Sequence, residues 1–345
     1  MAAYTAIDNP GSFFSTLLWT GNSPSTQALT GVGFAPNMAW VKKRSSAAAH
    51  CVTDTVRGVT ETIFPNTTTD ETTRAGGLTV FGSDGYTVGA DGDFNGGSAT
   101  FVGWNWIAGT TSGLTGGSIT PSAYSFNTTS GFGIYKYTGT GANATITHGL
   151  GVAPDLLISK NLSSSSNWPV LHTSYVTGAG ALDEQTGFSG SFSDYWNAVP
   201  TSTLINIGTT GGANASGDEI VLYAFASIQG YSKFGTYDSN SNVDGPFVYT
   251  GFRPAWTMIK EASGSNPWVI DDVKRETINE MEKPLKPNNT DGTYAGSAYG
   301  IDFLSNGFKI RNNDSTYNGS SNTFIYAAFA EAPLANSNGV PCNAR

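Results

Sequence analysis

Hydrophobic runs of strand length alternate with polar turns rich in Gly, Asn, Ser and Thr along the whole chain. One such run occurs three times. Each instance opens with a Gly-x-x-Pro turn, continues as an apolar stretch and ends on a lysine six residues after the proline. The three instances are Gly33–Lys42, Gly151–Lys160 and Gly251–Lys260. The pattern predicts one strand, preceded by a turn, that the fold uses three times.

The register extends well beyond this run. An aromatic residue stands seventeen positions before each proline, and each copy closes with an Asn-containing turn followed by a hydrophobic strand. The recurring residues are Trp19, Pro36, Lys42 and Asn95; Tyr137, Pro154, Lys160 and Asn214; and Tyr237, Pro254, Lys260 and Asn318. A period of about 100 residues is too long for a solenoid, whose units are about 20–50 residues. The chain is therefore predicted to hold three tandem domains.

The repeat and the linker-like stretches between copies set the predicted boundaries. The segments are an N-terminal arm (1–11), copy one (12–109), a linker (110–130), copy two (131–228), a short junction (229–233), copy three (234–333) and a C-terminal tail (334–345). The linker composition predicts flexibility. The short junction predicts that copies two and three pack more tightly than copies one and two.

Composition favours an all-β fold. Charged residues are only 12% of the chain while aromatics reach 12%, which excludes the composition of a disordered protein. Asp84-Gly85 and Asn306-Gly307 are strong hairpin signals. Only the stretch 271–283 resembles a helix. Each copy is predicted to be an antiparallel two-sheet β-sandwich, with a jelly-roll or concanavalin-like strand order.

Charge and composition limit the partners and the compartment. A net charge of −9 with scattered Lys and Arg argues against nucleic-acid binding. No secretory signal and no apolar run of membrane-spanning length is visible, so we expect a product of the cytoplasm without membrane insertion. Cys51 and Cys342 occupy non-equivalent positions and are predicted to be free thiols.

The repeated side chains are interpreted as scaffold. The prolines, aromatics and asparagines suit the turns and core of a β-sandwich. Each repeated lysine could reach a carbonyl or carboxylate, but we favour an apolar stem with a solvated head. Eighteen residues after the proline, Asp54 and Asp272 are each followed by an arginine three positions later, which predicts ion pairs; copy two has His172 and Tyr175 there.

The best metal candidate is Asp91-Gly92-Asp93-Phe94-Asn95-Gly96, which resembles the start of a calcium loop. Asp91, Asp93 and Asn95 would supply oxygens at positions 1, 3 and 5. Position 12, however, is Val102 where such a loop needs a bidentate glutamate. A plain Gly/Asp turn is the interpretation we favour, and no cofactor is predicted.

No catalytic residue is predicted. The three histidines lack zinc-ligand spacing, and the chain has no nucleophile elbow. The acidic pairs Asp70-Glu71 and Asp183-Glu184 are adjacent residues, which point to opposite faces if they lie in strands. Glycoside hydrolysis needs two carboxylates that face one substrate.

These residues resemble a repeat domain of uncharacterised function found in structural proteins of tailed bacteriophages, especially marine and cyanobacterial ones. The motifs that carry the resemblance are Tyr137-Thr138-Gly139-Thr140-Gly141, Trp40-Val41-Lys42-Lys43-Arg44, Asp54-Thr55-Val56-Arg57-Gly58, Asp84-Gly85-Tyr86, Asn95-Gly96-Gly97 and Phe101-Val102-Gly103-Trp104. The resemblance covers nearly the whole chain. Copy two lacks the Arg-Gly and the closing tryptophan, and copy three keeps Arg275 without the glycine.

The resemblance implies a virion component and brings no catalytic residues. We expect a non-enzymatic structural protein of a phage particle, assembled in the host cytoplasm. A tail fibre, appendage or adhesin-like part is favoured, with capsid decoration as the other placement. The expected partners are other virion proteins, further chains of the same kind in a homotrimer, and a host surface glycan. The alternatives are a polysaccharide-acting enzyme and a lectin-like carbohydrate-binding module.

Overall fold

A computed structural model describes residues 5–293 and 299–341. The chain is nearly all-β, with 41% of residues in strands and 6% in helices, and its sheets are antiparallel. The predicted all-β class is confirmed.

Copy one has a four-stranded main sheet and a three-stranded small sheet. The main sheet has the order β1 (Phe14–Thr20), β9 (Thr100–Trp106), β3 (Met38–Lys43), β4 (His50–Asp54), and the small sheet β2 (Gln27–Thr30), β8 (Gly85–Val88), β7 (Leu78–Gly82). A two-stranded ribbon, a 3-10 turn and a short helix complete it: β5 (Glu61–Thr62), β6 (Thr72–Thr73), Pro10–Ser12 and α1 (Gly92–Asn95).

Copy two has a six-stranded main sheet. Its order is β10 (Ala123–Asn127), β11 (Phe132–Thr138), β17 (Glu219–Phe225), β13 (Leu156–Asn161), β14 (Pro169–His172), β15 (Gly180–Ala181). The small sheet has only two strands, β12 (Ala144–Thr147) and β16 (Leu204–Ile207), and the helices are α2 (Phe192–Trp196) and α3 (Gly211–Asn214).

Copy three returns to the arrangement of copy one. Its main sheet is β18 (Ser232–Asp238), β24 (Thr323–Pro333), β20 (Phe252–Glu261), β21 (Val269–Asp272), and its small sheet is β19 (Phe247–Tyr249), β23 (Gly307–Ile310), β22 (Ile301–Leu304). The short helix is α4 (Ser315–Asn318).

The four shared strands of each main sheet have the same order and the same register. The closing aromatic of each copy pairs with the first residue of the repeated apolar run. These pairs are Trp106↔Met38, Phe225↔Leu156 and Phe329↔Trp256. Pro36 and Pro154 precede their strands by two residues, whereas Pro254 lies inside β20 at an irregularity in the pairing with β24. Copy three therefore begins this strand earlier than the other two copies.

Alternate residues of the repeated strand face two different cores. In β3, Met38 and Trp40 belong to a central apolar cluster, while Ala39 and Val41 lie in the cluster between the two sheets of copy one. Leu156 and Ile158 of copy two and Trp256 and Met258 of copy three join the same central cluster. Because side chains alternate along a strand, burial on both faces requires a continuous apolar run.

Both predicted hairpins are confirmed. Gly82↔Gly85 closes the β7–β8 pair and Leu304↔Gly307 closes the β22–β23 pair. The predicted helix over 271–283 is wrong, because β21 extends to Asp272 and the residues after it form turns. There the Glu276 carboxylate accepts the backbone N–H groups of Glu282 and Lys283, so the side chain organises a loop.

The segments outside the copies are partly structured and contact the body. Within the predicted linker, β10 adds a strand to the main sheet of copy two. In the predicted arm, Ile7 is buried in the central cluster, and the Ala6 N–H donates to the Gln229 carbonyl at 3.0 Å. The Ser337 N–H donates to Asp8 at 2.6 Å, so the described parts of both terminal segments meet.

Candidate functional site: contacts shared by the three copies

The repeated asparagine ends the short helix of each copy and is fully buried. Its Oδ1 accepts a backbone N–H from the turn after β1, β11 or β18. Its Nδ2 donates to the carbonyl six residues earlier. For Asn95, Asn214 and Asn318 the donors are Asn22, Thr140 and Asn240 (2.7–2.8 Å), and the acceptors are Gly89, Gly208 and Asn312 (2.7–2.9 Å). The residue therefore ties three segments of its own copy together.

The repeated aromatic that precedes each proline supports the same corner. Its polar end donates to the carbonyl of the residue just before the asparagine. The bonds are Trp19 Nε1 to Phe94 (3.0 Å), Tyr137 OH to Ala213 (2.6 Å) and Tyr237 OH to Tyr317 (2.8 Å). Trp and Tyr can replace each other here because each carries one donor at the end of an aromatic body.

The closing aromatics of the three copies contact one another. Ring centroids are 6.1 Å apart for Trp106–Phe225, 5.9 Å for Phe225–Phe329 and 5.6 Å for Trp106–Phe329. All three contacts are edge-to-face, with interplanar angles of 65°, 66° and 72°. Equivalent residues thus form a nearly regular triangle at the place where the copies meet.

The repeated lysines are buried, so the prediction of a solvated head is wrong. Each Nζ donates to a carbonyl in its own copy and to one in another copy. The contacts between copies are Lys42 to Thr290 (2.8 Å), Lys160 to Thr68 (3.0 Å) and Lys260 to Gln185 (2.8 Å). They run from copy one to three, from two to one and from three to two, which is a closed cycle. Burial lowers the pKa of each lysine to about 8.

A backbone contact repeats around the same cycle. The carbonyl eight residues after each proline accepts an N–H from a loop of the neighbouring copy. The bonds are Thr293 N–H to Arg44 (2.8 Å), Glu71 N–H to Leu162 (3.2 Å) and Phe188 N–H to Ala262 (2.8 Å). Each copy therefore uses the same edge to receive a loop from one neighbour, which is the geometry of head-to-tail interfaces that close.

The position eighteen residues after the proline lies at these contacts too. Asp54 pairs with Arg57 at 2.6 Å and accepts from Tyr223 of copy two at 2.7 Å. Asp272 pairs with Arg275 at 2.6 Å and accepts from Trp104 of copy one at 3.0 Å. Both predicted ion pairs are confirmed, and each carries a further bond to another copy.

In copy two this position is His172, whose Nε2 donates to the Tyr326 carbonyl of copy three at 3.1 Å. Burial lowers the pKa of His172 to about 4, so the ring is neutral at ordinary pH.

The centre of the three copies is apolar and filled. A cavity of about 20 Å³ remains there. Its lining includes Met38, Trp106, Leu156, Phe225, Trp256 and Phe329, which are two equivalent positions from each copy. A water molecule in a cavity needs several polar partners, so this lining favours a dry void. The centre of the molecule offers no room for a substrate.

The calcium candidate is engaged by an arginine. Arg74 makes two bonds to Asp91, at 2.7 and 2.8 Å, and a third to Asp93 at 3.0 Å. Asp91 caps the start of α1 through the Asp93 N–H, and Asn95 is used as described above. Within the described residues, no group of three or more His, Cys, Asp or Glu side chains is arranged to hold a metal ion.

Three members of the acidic pairs bind groups of their own copy, and Glu184 also lines a groove of about 160 Å³ beside Tyr195. Glu71 binds Arg57 at 2.8 Å, Asp183 accepts the Trp168 N–H at 2.8 Å, and Glu184 accepts from Asn167 at 2.5 Å. Copy three adds a buried carboxyl, Asp271, which accepts from Tyr317 OH at 2.8 Å. Burial raises the pKa of Asp271 to about 7. Cys51 is a buried free thiol, as predicted, and Cys342 lies outside the described residues.

Sequence reasoning found the repeated residues and missed the cycle of contacts between copies. The sequence shows only that a lysine ends each largely apolar run and that no acid recurs at a fixed offset from it in all three copies. Without such an acid, backbone carbonyls are the remaining partners for a buried ammonium group.

Comparison with known proteins gives one family match. A family model described as a domain of unknown function (DUF7483) matches residues 9–333, which includes all three copies. No curated protein and no solved structure matches the chain significantly. No helix within residues 5–293 and 299–341 has the length and hydropathy of a membrane span. Because the family match covers more than nine-tenths of the chain, the protein belongs to the DUF7483 family.

Proposed function

We propose that the three copies are three β-sandwich units arranged about one internal threefold axis. The triangle of closing aromatics supports this arrangement, as does the cycle of lysine and backbone contacts, since equivalent residues meet in equivalent ways. Head-to-tail interfaces close into a ring when the rotation between units divides a full turn. One chain would then supply the three units that a homotrimer takes from three chains. The jelly-roll or concanavalin-like strand order remains a prediction.

From the sequence resemblance we further propose that the protein is a non-enzymatic structural component of a phage particle. A tail fibre, appendage or adhesin-like part is the favoured placement, with capsid decoration as the second. The observation that carries the proposal is that the repeated polar residues are committed to buried contacts within or between copies. Lys160 Nζ, for example, donates hydrogen bonds to carbonyls of two copies. These residues build a rigid body and are not exposed to a reactant.

The proposed partners are other virion proteins and a host surface glycan. The homotrimer expected from the sequence remains a prediction. An internally threefold chain gives a second possibility, a single chain that occupies a threefold position alone. The molar mass in solution separates the two, because the monomer has a mass of 36.1 kDa.

The alternative of a polysaccharide-acting enzyme requires two carboxylates that face one substrate. Among the described acidic pairs, Glu71 is held by Arg57 and Glu184 by Asn167, so their arrangement favours scaffold over catalysis.

Mass spectrometry of gradient-purified particles of a phage that encodes the chain tests the proposal. We expect the chain in a fixed ratio to the major capsid protein, and antibody labelling in electron micrographs should give its place. A chain found only in the infected-cell lysate would contradict a virion role. The enzyme alternative replaces the proposal if purified protein releases reducing ends from host capsular polysaccharide and Glu184→Gln abolishes the release.

A further inference from the structure

We propose that strand β19 of copy three is a docking strand to which an extended segment of another polypeptide chain adds as a further β-strand. The inference concerns an exposed sheet edge and is independent of the virion proposal. It rests on a comparison of the same edge in the three copies, since two of them show what the fold itself requires there.

The edge strands of the three small sheets are equivalent. Each has a buried residue that pairs with a buried residue of the next strand: Leu29↔Tyr86, Ile146↔Ile205 and Val248↔Phe308. The residues on either side point outward. They are Ala28 and Thr30 in copy one, Thr145 and Thr147 in copy two, and Phe247 and Tyr249 in copy three.

Copy three thus has two large aromatic residues at positions where copies one and two have only alanine and threonine. Phe247 is 45% exposed and Tyr249 is 59% exposed. Residues i and i+2 of a strand lie on the same face, so the two rings form one exposed surface. Because copies one and two fold without them, these aromatics are not explained by the scaffold.

In copy two the chain covers the equivalent edge with its own linker. Ile119 N–H donates to the Thr145 carbonyl at 3.0 Å, and Ser118 N–H donates to Thr145 Oγ1 at 3.0 Å. Thr145 N–H donates to Ser118 Oγ at 2.8 Å. Gly117 lies so close that a Cβ there would be 2.8 Å from the Thr145 carbonyl oxygen, and its φ of +76° also favours glycine. This edge therefore accepts an extended segment with glycine at the close approach.

The hydrogen-bonding groups of β19 are oriented for the same addition. Ile310 N–H donates to the Pro246 carbonyl, and Thr250 N–H donates to the Asn306 carbonyl. These two hydrogen-bonded pairs lie two residues before and two residues after Val248. Such pairs alternate along an antiparallel ladder, so Val248 bonds to β23. The N–H and C=O groups of Phe247 and Tyr249 then point away from β23, toward the open edge. Exposed edges of this kind are templates for another strand.

A groove continues from the end of this strand. It has a volume of about 360 Å³ and is lined by Lys233, Tyr249, Gly251, Leu334 and Ala335, among others. It gives space for side chains of a docked segment. Strand addition draws affinity from main-chain bonds and specificity from such side-chain sites. The segment that fits is extended, has glycine against the strand and carries an aliphatic side chain, as Gly117-Ser118-Ile119 does in copy two.

A synthetic peptide with the sequence of residues 114–121, Leu-Thr-Gly-Gly-Ser-Ile-Thr-Pro, is the probe for this proposal. It is added at millimolar concentration to the full chain, and amide hydrogen exchange is followed residue by residue. We expect exchange at Phe247 and Tyr249 to slow by about tenfold. The same peptide N-methylated at its isoleucine lacks the donor that bonds Thr145 in copy two and should give no protection.

The double variant Phe247→Ala with Tyr249→Thr gives copy three the outward residues of copy one, Ala28 and Thr30, and does not install the Thr145 hydroxyl that binds Ser118 in copy two. It should lose most of the protection, whereas the control Val80→Thr, at an exposed strand position elsewhere, should keep it. The proposal is overturned if the peptide protects neither amide, if the N-methylated peptide protects as well, or if the double variant behaves like the control. Binding of chitohexaose that depends on Tyr249, without peptide protection, would replace it with a carbohydrate platform.

Discussion

At two contacts between copies, equivalent buried polar residues bind the neighbouring copy through different hydrogen bonds. Between copies one and two, Asp54 accepts a hydrogen bond from Tyr223 while Arg57 balances its charge. Between copies two and three, the equivalent of Tyr223 is Ala327, which has no donor, and the equivalent of Asp54 is His172. His172 instead donates to the Tyr326 carbonyl.

Both contacts satisfy the buried polar side chain with a hydrogen bond, but only the first contact contains charged side chains. An aspartate with no donor opposite would be a buried acceptor without a partner, which costs about 1–3 kcal/mol or more. Copy two replaces the aspartate with a neutral donor, and Tyr175 stands where the other copies have the charge-balancing arginine. The third contact, from Trp104 to Asp272, resembles the first contact.

Separation of one copy from the others should have the largest effect. Residues 110–228 alone, which keep β10, would expose Ile158, Trp168, Tyr223 and Phe225, which belong to the central cluster. We expect no cooperative thermal transition for the monomeric fragment by circular dichroism. Assembly of three fragments would agree with the proposed ring. A monomer that unfolds cooperatively would show that the copies are independent domains.

Removal of the carboxylate at the first contact should come next. Asp54→Ala leaves Arg57 as a buried charge without its main partner, and breaking such a pair costs about 3–5 kcal/mol. Urea unfolding of the full chain measures the loss.

A triple variant tests whether the side chains of the second contact can replace those of the first. Asp54→His with Arg57→Tyr and Tyr223→Ala installs the side chains of the second contact at the first. We expect this triple variant to be more stable than Asp54→His alone. Equal stability would mean that the two sets of side chains are not interchangeable.

Removal of the lysine contact, which is present at both interfaces, should lower the free energy of unfolding by a smaller amount. Lys160→Met keeps the apolar stem but removes the donor from the Thr68 and Ser166 carbonyls. A buried acceptor left unsatisfied costs about 1–3 kcal/mol. The exposed Lys233→Met is the matched control and should stay within about 0.5 kcal/mol of the parent chain. A Lys160→Met variant as stable as this control would contradict a role for the ammonium group.

The three lysines also predict a pH dependence, which is the smallest effect. Their pKa is about 8 in the folded chain and near 10.5 when unfolded, so between these values the unfolded chain binds more protons. Stability should therefore rise from pH 8 to pH 10, by at most about 1.4 kcal/mol per pH unit for each lysine. Above pH 10 the unfolded tyrosines ionise and oppose the rise.

Chemical unfolding at a series of pH values measures this slope, and Lys160→Met should reduce it by about a third. A slope that is unchanged in that variant would show that the lysines do not titrate as proposed.

The sequence by itself determined the local features of this protein. The all-β class, the two hairpins and the Asp–Arg pairs followed from turn residues, apolar runs and fixed spacing. These signals are local because a hairpin turn or an i,i+3 ion pair depends on a few neighbouring residues. The stretch 271–283 misled the same reasoning, because Asp272 accepts the Arg275 N–H in a turn after β21 and Glu276 accepts the N–H of Glu282, six residues on, in a loop.

Only the tertiary structure decided what the repeated residues face. A lysine at the end of an apolar strand has the same sequence signature whether its head reaches water or a carbonyl of another copy. Likewise, Phe247 and Tyr249 predict a strand whether their side chains are buried or exposed, and only the structure places them on an exposed edge. Periodicity reports that a face is buried, but the partner of that face lies about 100 residues away. Its identity is therefore set by packing between copies and not by any local pattern.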